Sequence, residues 1–310
     1  MRTDTPNILR WHPEVAAARQ AGAPIVALES SVFAQGLPAP ANREAHRRMC
    51  DGVRGVGAVP AVTATVDGRA VVGLDDAALE RFLTAGAQKV SARDLGFAIA
   101  TRRDGSTTVA GSLAICVAAS LDVFATGGIG GVHRRIHPDA PLDESADLLE
   151  LAGSSVVVVC AGAKSILDLA ATLERLESYG VSVIGYGTSE FPGFFTASTG
   201  LAVPASADSP VAIARTFLAG RALGRRSALL VVQPPPESAA LDPELAHDAV
   251  NAALDEAAAA GVRGSAVTPF LLAAIERATD GRSVHTNLAL LESNARLAGE
   301  IAVAIRTEGG

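Results

Sequence analysis

The sequence predicts an α/β fold, with a mainly parallel central sheet flanked by helices in a single large domain. Three observations predict it. Short, β-branched apolar runs (PIVALES, VFAT, VVVVCA, VSVIGYG, SALLVVQPP) alternate with longer amphipathic segments. Such alternation implies right-handed crossovers and parallel pairing. The core is aliphatic: 49% of the 310 residues are hydrophobic but only 4% aromatic, which suits strands covered on both faces. No linker, repeat or low-complexity stretch divides the chain, so a length about twice the usual domain prior reads as one unit.

Residues 1–22 read as a polar tail and a short helix, and residues 23–310 as the domain proper. PIVALES is a buried strand, and SSVFAQGLPAPAN, punctuated by Gly and Pro, is a loop. NREAHRRMCDGVRGVG is a helix closed by glycine. AVPAVTATV and RAVVGL flank Asp67-Gly68, a strong hairpin signal. DDAALERFLTAGA is helical, KVSARDL a short strand or loop, TTVAGSLAICVAASLD a helix and VFAT a strand. GGIGGVHRRIHPDAPLDES is a long loop, a feature that is usually functional in a compact domain. SADLLELAGS is a helix, VVVVCA a strand and KSILDLAATLERLESYG an amphipathic helix. VSVIGYG and SALLVVQPP are strands, and long helices fill most of 239–305.

The net charge of −7 and pI near 5.4 offer no broad face to a polyanion, which excludes nucleic acid polymers while allowing a small phosphorylated ligand. Cys50, Cys116 and Cys160 are odd in number and widely spaced, so they fit core positions and neither a disulfide framework nor a zinc site. The N-terminus carries no basic-then-apolar signal, and no apolar run is long enough to cross a bilayer. The expectation is a cytoplasmic protein without a membrane partner.

In open α/β sheets, ligands sit beyond the carboxyl ends of the strands. That rule selects Glu29, Thr126 and Lys164, each at or just past a strand end. Lys164 is expected to pass from a buried strand into a helix start, where desolvation and the helix dipole favour an uncharged amine able to attack a carbonyl carbon. A lysine snorkelling to water or contacting phosphate occupies the same position equally well. Glu29 in a cleft suits a general acid, and a capping carboxylate is the plain alternative. Asp143, Glu144, Ser145 and Asp147 suit a hard cation with waters, and N-capping of the following helix by Ser145 or Asp143 is the equal alternative. ATGGIGGVHR matches neither a P-loop nor a dinucleotide fingerprint, yet its amides can approach an anion. His133 is a candidate phosphate contact or a plain loop histidine, Lys89 a phosphate contact or a solvated lysine, and Asn287 a hydroxyl contact or a helix cap.

Nine segments in order carry a resemblance: VALESSVFAQGLPAPAN, QKVSARDLG, STTVAGS, VFATGGIGGVHR, SADLLELA, VVVVCAGAKSILDLAATLE, VIGYGTSEFPGFF, RGSAVTPFLLAAI and TNLALLESNARLAGEIA. Together they resemble the pseudouridine-5′-phosphate glycosidase family, which includes the indigoidine synthase A-like proteins, from about residue 23 to 305.

The resemblance implies a homotrimer with one Mn²⁺ per subunit. It implies reversible cleavage of pseudouridine 5′-phosphate to uracil and ribose 5-phosphate. By motif match it puts Glu29 in the proton-donor place, Lys164 in the nucleophile place and Asp143 in the metal place. Lys89, Val109, Ser145, Ala146 and Asp147 take substrate-binding places. Thr126, His133 and Asn287 fall at the sugar-phosphate pocket. The chain departs from the pattern at Gln35, where a histidine is usual, and at Ala39, where an aromatic residue is usual. It also departs in a longer loop between His133 and Asp143, and at Glu144, an added charge.

A carbon leaving group has no lone pair to protonate. A lysine Schiff base supplies the electron push that a second carboxylate cannot. The alternatives are a synthase that joins ribose 5-phosphate to another base-like or aromatic acceptor, and a catalytically dead sugar-phosphate binder.

Overall fold

The computed structural model describes residues 8–84, 87–134, 142–262 and 267–309. Its spine is a parallel array in the order β3 (Val59–Val66), β2 (Ile25–Leu28), β7 (Val123–Ala125), β9 (Val157–Cys160), β13 (Leu229–Val232), β11 (Ser182–Tyr186) and β12 (Ala205–Ala207). The runs IVAL, VVVC and LLVV are buried at every position, as strands covered on both faces must be.

On the β3 side the sheet becomes an antiparallel wing. β3 turns at Asp67-Gly68 into β4 (Arg69–Val72), pairing Thr63 with Val72 through Val66 with Arg69. Asp67 and Gly68 have φ of 51° and 76°, the two positive values that a tight hairpin turn requires. β6 (Gly105–Thr107) pairs antiparallel with the far end of β3 and parallel with β5 (Gln88–Val90). The segment read as a polar tail contains β1 (Leu9–Trp11), which adds parallel to β4, before α1 (Pro13–Gln20). Three residues are too few to show a period, which is why β1 escapes sequence reasoning.

Helices cover both faces. Around the first strands lie α2 (Ser31–Ala34), α3 (Ala41–Arg54), α4 (Asp76–Thr84), α5 (Leu95–Ala100) and α6 (Val109–Ala119). α7 (Ala146–Gly153), α8 (Leu169–Ser178), α9 (Pro210–Ala222), α10 (Pro243–Ala259), α11 (Val267–Ala278) and α12 (Arg282–Gly309) follow. The segment SSVFAQGLPAPAN is therefore not all loop, since its first turn is α2, and α9 lies in a stretch to which sequence reasoning gave no element. α12 is the central helix. It packs on α3 and α9 and lies against β2, β7 and β9, and its Leu290, Leu291, Ala295 and Ile301 are buried. A two-stranded ribbon, β8 (Val132–His133) with β10 (Leu167–Asp168), sits beyond the carboxyl ends of the strands. All three cysteines are free and buried.

Candidate active site

β2, β7 and β9 are neighbours, and the residues just past their carboxyl ends converge on one cavity of about 290 Å³. Glu29 follows β2, Thr126 and Gly127 follow β7, and Lys164 follows β9. Lys89 of β5, Phe194, and Asn287 of α12 complete much of the wall. The structure thus brings Glu29, Lys89, Thr126, Lys164 and Asn287 together.

Glu29 is 3% exposed, and both of its oxygens are engaged. Ser31 Oγ donates to Oε1, and Thr126 Oγ1 donates to Oε2. Ser31 opens α2, so the turn of helix hidden in the predicted loop aims a hydroxyl back at the carboxylate. Hydroxyl rotors exchange donor and acceptor roles, so these two groups can pass a proton to or from Glu29 without moving heavy atoms.

Lys164 does not begin a helix, as the sequence suggested. β10 intervenes, and α8 starts only at Leu169. The Lys164 backbone is held by its own loop and by the loop after β7. Its N–H donates to Ile129 O (3.1 Å), its carbonyl accepts from Leu167 N (3.0 Å), and Ala161 N donates to Gly127 O (2.8 Å). The helix dipole therefore drops out of the case for Lys164, and its place in the cavity wall remains.

The chain contains only two lysines, Lys89 and Lys164, and both line this cavity. The other basic side chains are arginines. That count was open to sequence reasoning and was missed. The Lys89 amine is held below the ordinary lysine range, first by burial in the wall and then by the charge of Lys164, with Glu29 and Asp147 opposing. Lys89 keeps solvent access by surface area, so the burial is that of a concave wall open to the cavity.

A second layer lies behind the wall. Asp147 is buried; its Oδ1 accepts from Ala110 N (2.9 Å) at the start of α6 and its Oδ2 from Gly130 N (2.8 Å). Ser145 caps α7 by accepting from Asp147 N (3.2 Å), as the capping alternative expected. Val109 is buried at the start of α6, and Ala146 is exposed at the start of α7. Two helix N-termini thus meet at Asp147, close enough to Lys89 to act on its charge.

The glycine-rich loop serves packing as well as the cavity. A Cβ at Gly130 would lie 2.2 Å from Ser145 Oγ, and one at Gly131 2.3 Å from Thr172 Oγ1. The Gly130 and Val132 amides go to Asp147 and Thr172, which leaves the Gly127–Gly128 end to face the cavity. His133 pairs with Leu167 in the small ribbon, and its N–H donates to Asp143 O (2.9 Å); neither residue lines the cavity.

Asp143 has an exposed side chain, and no group of three or more His, Cys, Asp or Glu suited to a metal occurs among the described residues. One exposed carboxylate fits a hard cation that keeps most of its water shell, and does not fit a caged ion. The added charge at Glu144 is not free to join it, because Arg175 donates to Glu144 Oε1 from Nε at 2.8 Å. The longer loop between His133 and Asp143 lies, over 135–141, outside the described residues.

Sequence reasoning from the residues did not single out Ser31, Phe194, Thr268 or Leu272 as wall residues. Phe194 has φ of 67°, a costly conformation for an aromatic residue, and its ring lies where a Cβ at Gly128 would come within 2.7 Å. Asn287 Oδ1 is buried with no hydrogen-bond partner among the described residues, so the wall presents an acceptor to whatever fills the cavity.

The model of the family described as indigoidine synthase A-like protein matches residues 14–304. The chain belongs to the indigoidine synthase A-like family. It is accordingly an enzyme. A relative from Gemmatimonas aurantiaca, named pseudouridine-5′-phosphate glycosidase, is 61% identical over 93% of each chain. One of the same name from Herpetosiphon aurantiacus is 51% identical over 94% of this chain and 96% of its own length. Among solved structures, a prealnumycin C-glycosynthase in complex with ribulose 5-phosphate superposes with a TM-score of 0.89 at 37% identity, covering 99% of both chains. An indigoidine synthase A-like protein from Thermotoga maritima gives 0.88 at 34% identity, again over 99% of both. The α/β architecture of this indigoidine synthase A-like chain is thus shared over its whole length.

Proposed function

We propose that this chain cleaves the carbon–carbon glycosidic bond of pseudouridine 5′-phosphate, reversibly, to uracil and ribose 5-phosphate through a Schiff base on Lys164. One observation carries the reading: an amine at Lys164 and a buried, hydroxyl-bonded carboxylate at Glu29 line one cavity, with Lys89 as a second cation. The names of the relatives support it, and the C-glycosynthase, at 37% identity, is a more distant match than the glycosidases.

The Lys164 nitrogen, uncharged, bonds to C1′ of the ribose as the C1′–O4′ bond breaks, and the proton that the nitrogen gives up goes to O4′. The nitrogen lone pair then forms C=N as the bond from C1′ to the base carbon breaks, and that carbon keeps the electron pair and takes a proton from Glu29. Water hydrolyses the iminium to release ribose 5-phosphate. Thr126 and Ser31 hold Glu29 and offer a path to reload its proton. Asn287 Oδ1 accepts from a ligand donor. Lys89 takes the phosphate, whose binding energy orients the reacting carbon, and the helix starts around Val109 and Ser145–Asp147 back that subsite from the layer behind the wall. His133 stands behind the Lys164 loop as part of its support. A manganese-type cation held by Asp143 and waters would polarise oxygen or order water near the site.

The reading includes a homotrimer in the cytoplasm. No described helix is long and apolar enough to cross a membrane. Incubating the protein with pseudouridine 5′-phosphate and Mn²⁺ should release uracil and ribose 5-phosphate in equal amounts. If the protein binds the nucleotide and releases no uracil, the reading fails.

A further inference from the structure

β5 is three residues long, pairs only with β6 among the described strands, and carries Lys89 at its centre. The Lys89 side chain has no hydrogen-bond or ion-pair partner among the described residues. Its position therefore depends on how its strand is held. Gln35, the residue following α2, supplies a hold that the backbone ladder lacks. Its Oε1 accepts from Ser106 Oγ (2.9 Å), and its Nε2 donates to Ala87 O. Ser106 is the direct partner of Lys89 in the β5–β6 ladder, and Ala87 immediately precedes β5. Ser106 is fully buried, and its hydroxyl lies nearer to Gln35 Oε1 (2.9 Å) than to its other acceptor, Gln88 O of β5 (3.5 Å). One amide thus bonds to the strand opposite Lys89 and to the chain just before it.

We propose that Gln35 is a positioning residue for Lys89. Its amide clamps β5 to β6 and so sets where the Lys89 ammonium meets the substrate phosphate. This inference rests on the reading of Lys89 as the phosphate contact. Both polar ends of the Gln35 side chain are bonded inside the protein, while its stem lines the cavity. The clamp needs a group that donates and accepts at once. A glutamine does this, and so does a neutral imidazole. A methionine fills similar space and does neither.

The test compares wild type, Gln35→Met, Gln35→His, Ser106→Ala and Lys89→Met. Two readouts are taken: kcat and KM for pseudouridine 5′-phosphate and for unphosphorylated pseudouridine, and calorimetric binding of ribose 5-phosphate. Q35M should raise KM for the phosphorylated substrate and weaken ribose 5-phosphate binding by about tenfold, the scale of one lost buried interaction. The rise in KM should exceed any fall in kcat, and the loss should be clearly smaller with pseudouridine, which has no phosphate for Lys89 to meet. Q35H should recover most of the binding. S106A should shift binding in the same direction, and the Q35M/S106A double variant should be no worse than Q35M, because both remove one clamp. S106A also reads the clamp should Q35M not fold.

Equal loss with pseudouridine, or a fall in kcat at constant KM, overturns the proposal by placing Gln35 against the base. If K89M weakens binding and Q35M does not, the clamp alone is wrong. If K89M leaves binding unchanged, the phosphate role of Lys89 falls and the clamp with it. Should wild type release no uracil, the calorimetric arm still decides the clamp, since binding needs no turnover.

Discussion

The two halves of the cavity are built differently. On one side, Glu29, Thr126 and Lys164 stand at the ends of three adjacent parallel strands, buried on both faces and backed by α12. On the other, Lys89 rides on a short edge strand of an antiparallel wing, with Gln35 and Ser106 bridging it to the body. The first arrangement fixes groups rigidly, as bond-breaking requires. The second leaves an ammonium accessible to a phosphate. On the proposed reading, reacting groups and anchoring groups draw on different parts of one sheet, and substitutions on the two sides should fail in different ways.

The largest effect is expected on the rigid side. Lys164→Ala should abolish both turnover and any reducible adduct with ribose 5-phosphate; residual turnover above about a thousandth of wild type in a rapid-quench assay contradicts a covalent role. Glu29→Gln should cost about 10²–10⁴ in kcat, the usual range for a positioned acid, while calorimetry shows ribose 5-phosphate still bound. Equal loss of binding would make Glu29 structural. Thr126→Val, which strips one hydroxyl from Glu29, should cost about tenfold in kcat with KM little changed.

On the accessible side the signature is in pH and stability. The Lys89 amine is held below the ordinary lysine range, so the ligand-free fold carries the cost of its charge at neutral pH. In the window between that lowered value and the ordinary one, the unfolded chain keeps a proton that the fold has lost, so stability contributed by this group rises with pH. K89M should therefore raise the thermal midpoint of the ligand-free protein slightly near pH 7, and the gain should shrink as the pH rises through this window. Sugar-phosphate affinity of the wild type should fall over the same window. A gain that grows with pH would contradict this assignment. The smallest expected effect is at Asp143: D143N should weaken Mn²⁺ dependence and leave the fold intact, and full activity in chelator would remove the metal from the account.

Legibility in the sequence divided along the same line. The strand-end rule found Glu29, Thr126 and Lys164, because buried parallel strands announce themselves as short apolar runs and their ends locate the cleft. The Asp67-Gly68 hairpin was equally plain. Lys89 was weak from the residues alone, since β5 is too short to show a period. Ser31 was hidden because a four-residue helix inside a Gly/Pro-rich stretch reads as loop. Asp147 looked like a possible cation ligand. Only the fold shows it joining the start of α6 to the glycine loop. Tertiary hydrogen bonds of this kind leave no local pattern.

The account turns on which amine forms the covalent bond, and the chain offers only two lysines to choose between. Borohydride reduction in the presence of ribose 5-phosphate, followed by peptide mass spectrometry, reads this directly. A pentose phosphate adduct on Lys164, with Lys89 unmodified, is the predicted result. An adduct on Lys89, or none on either lysine under conditions that release uracil, would contradict it.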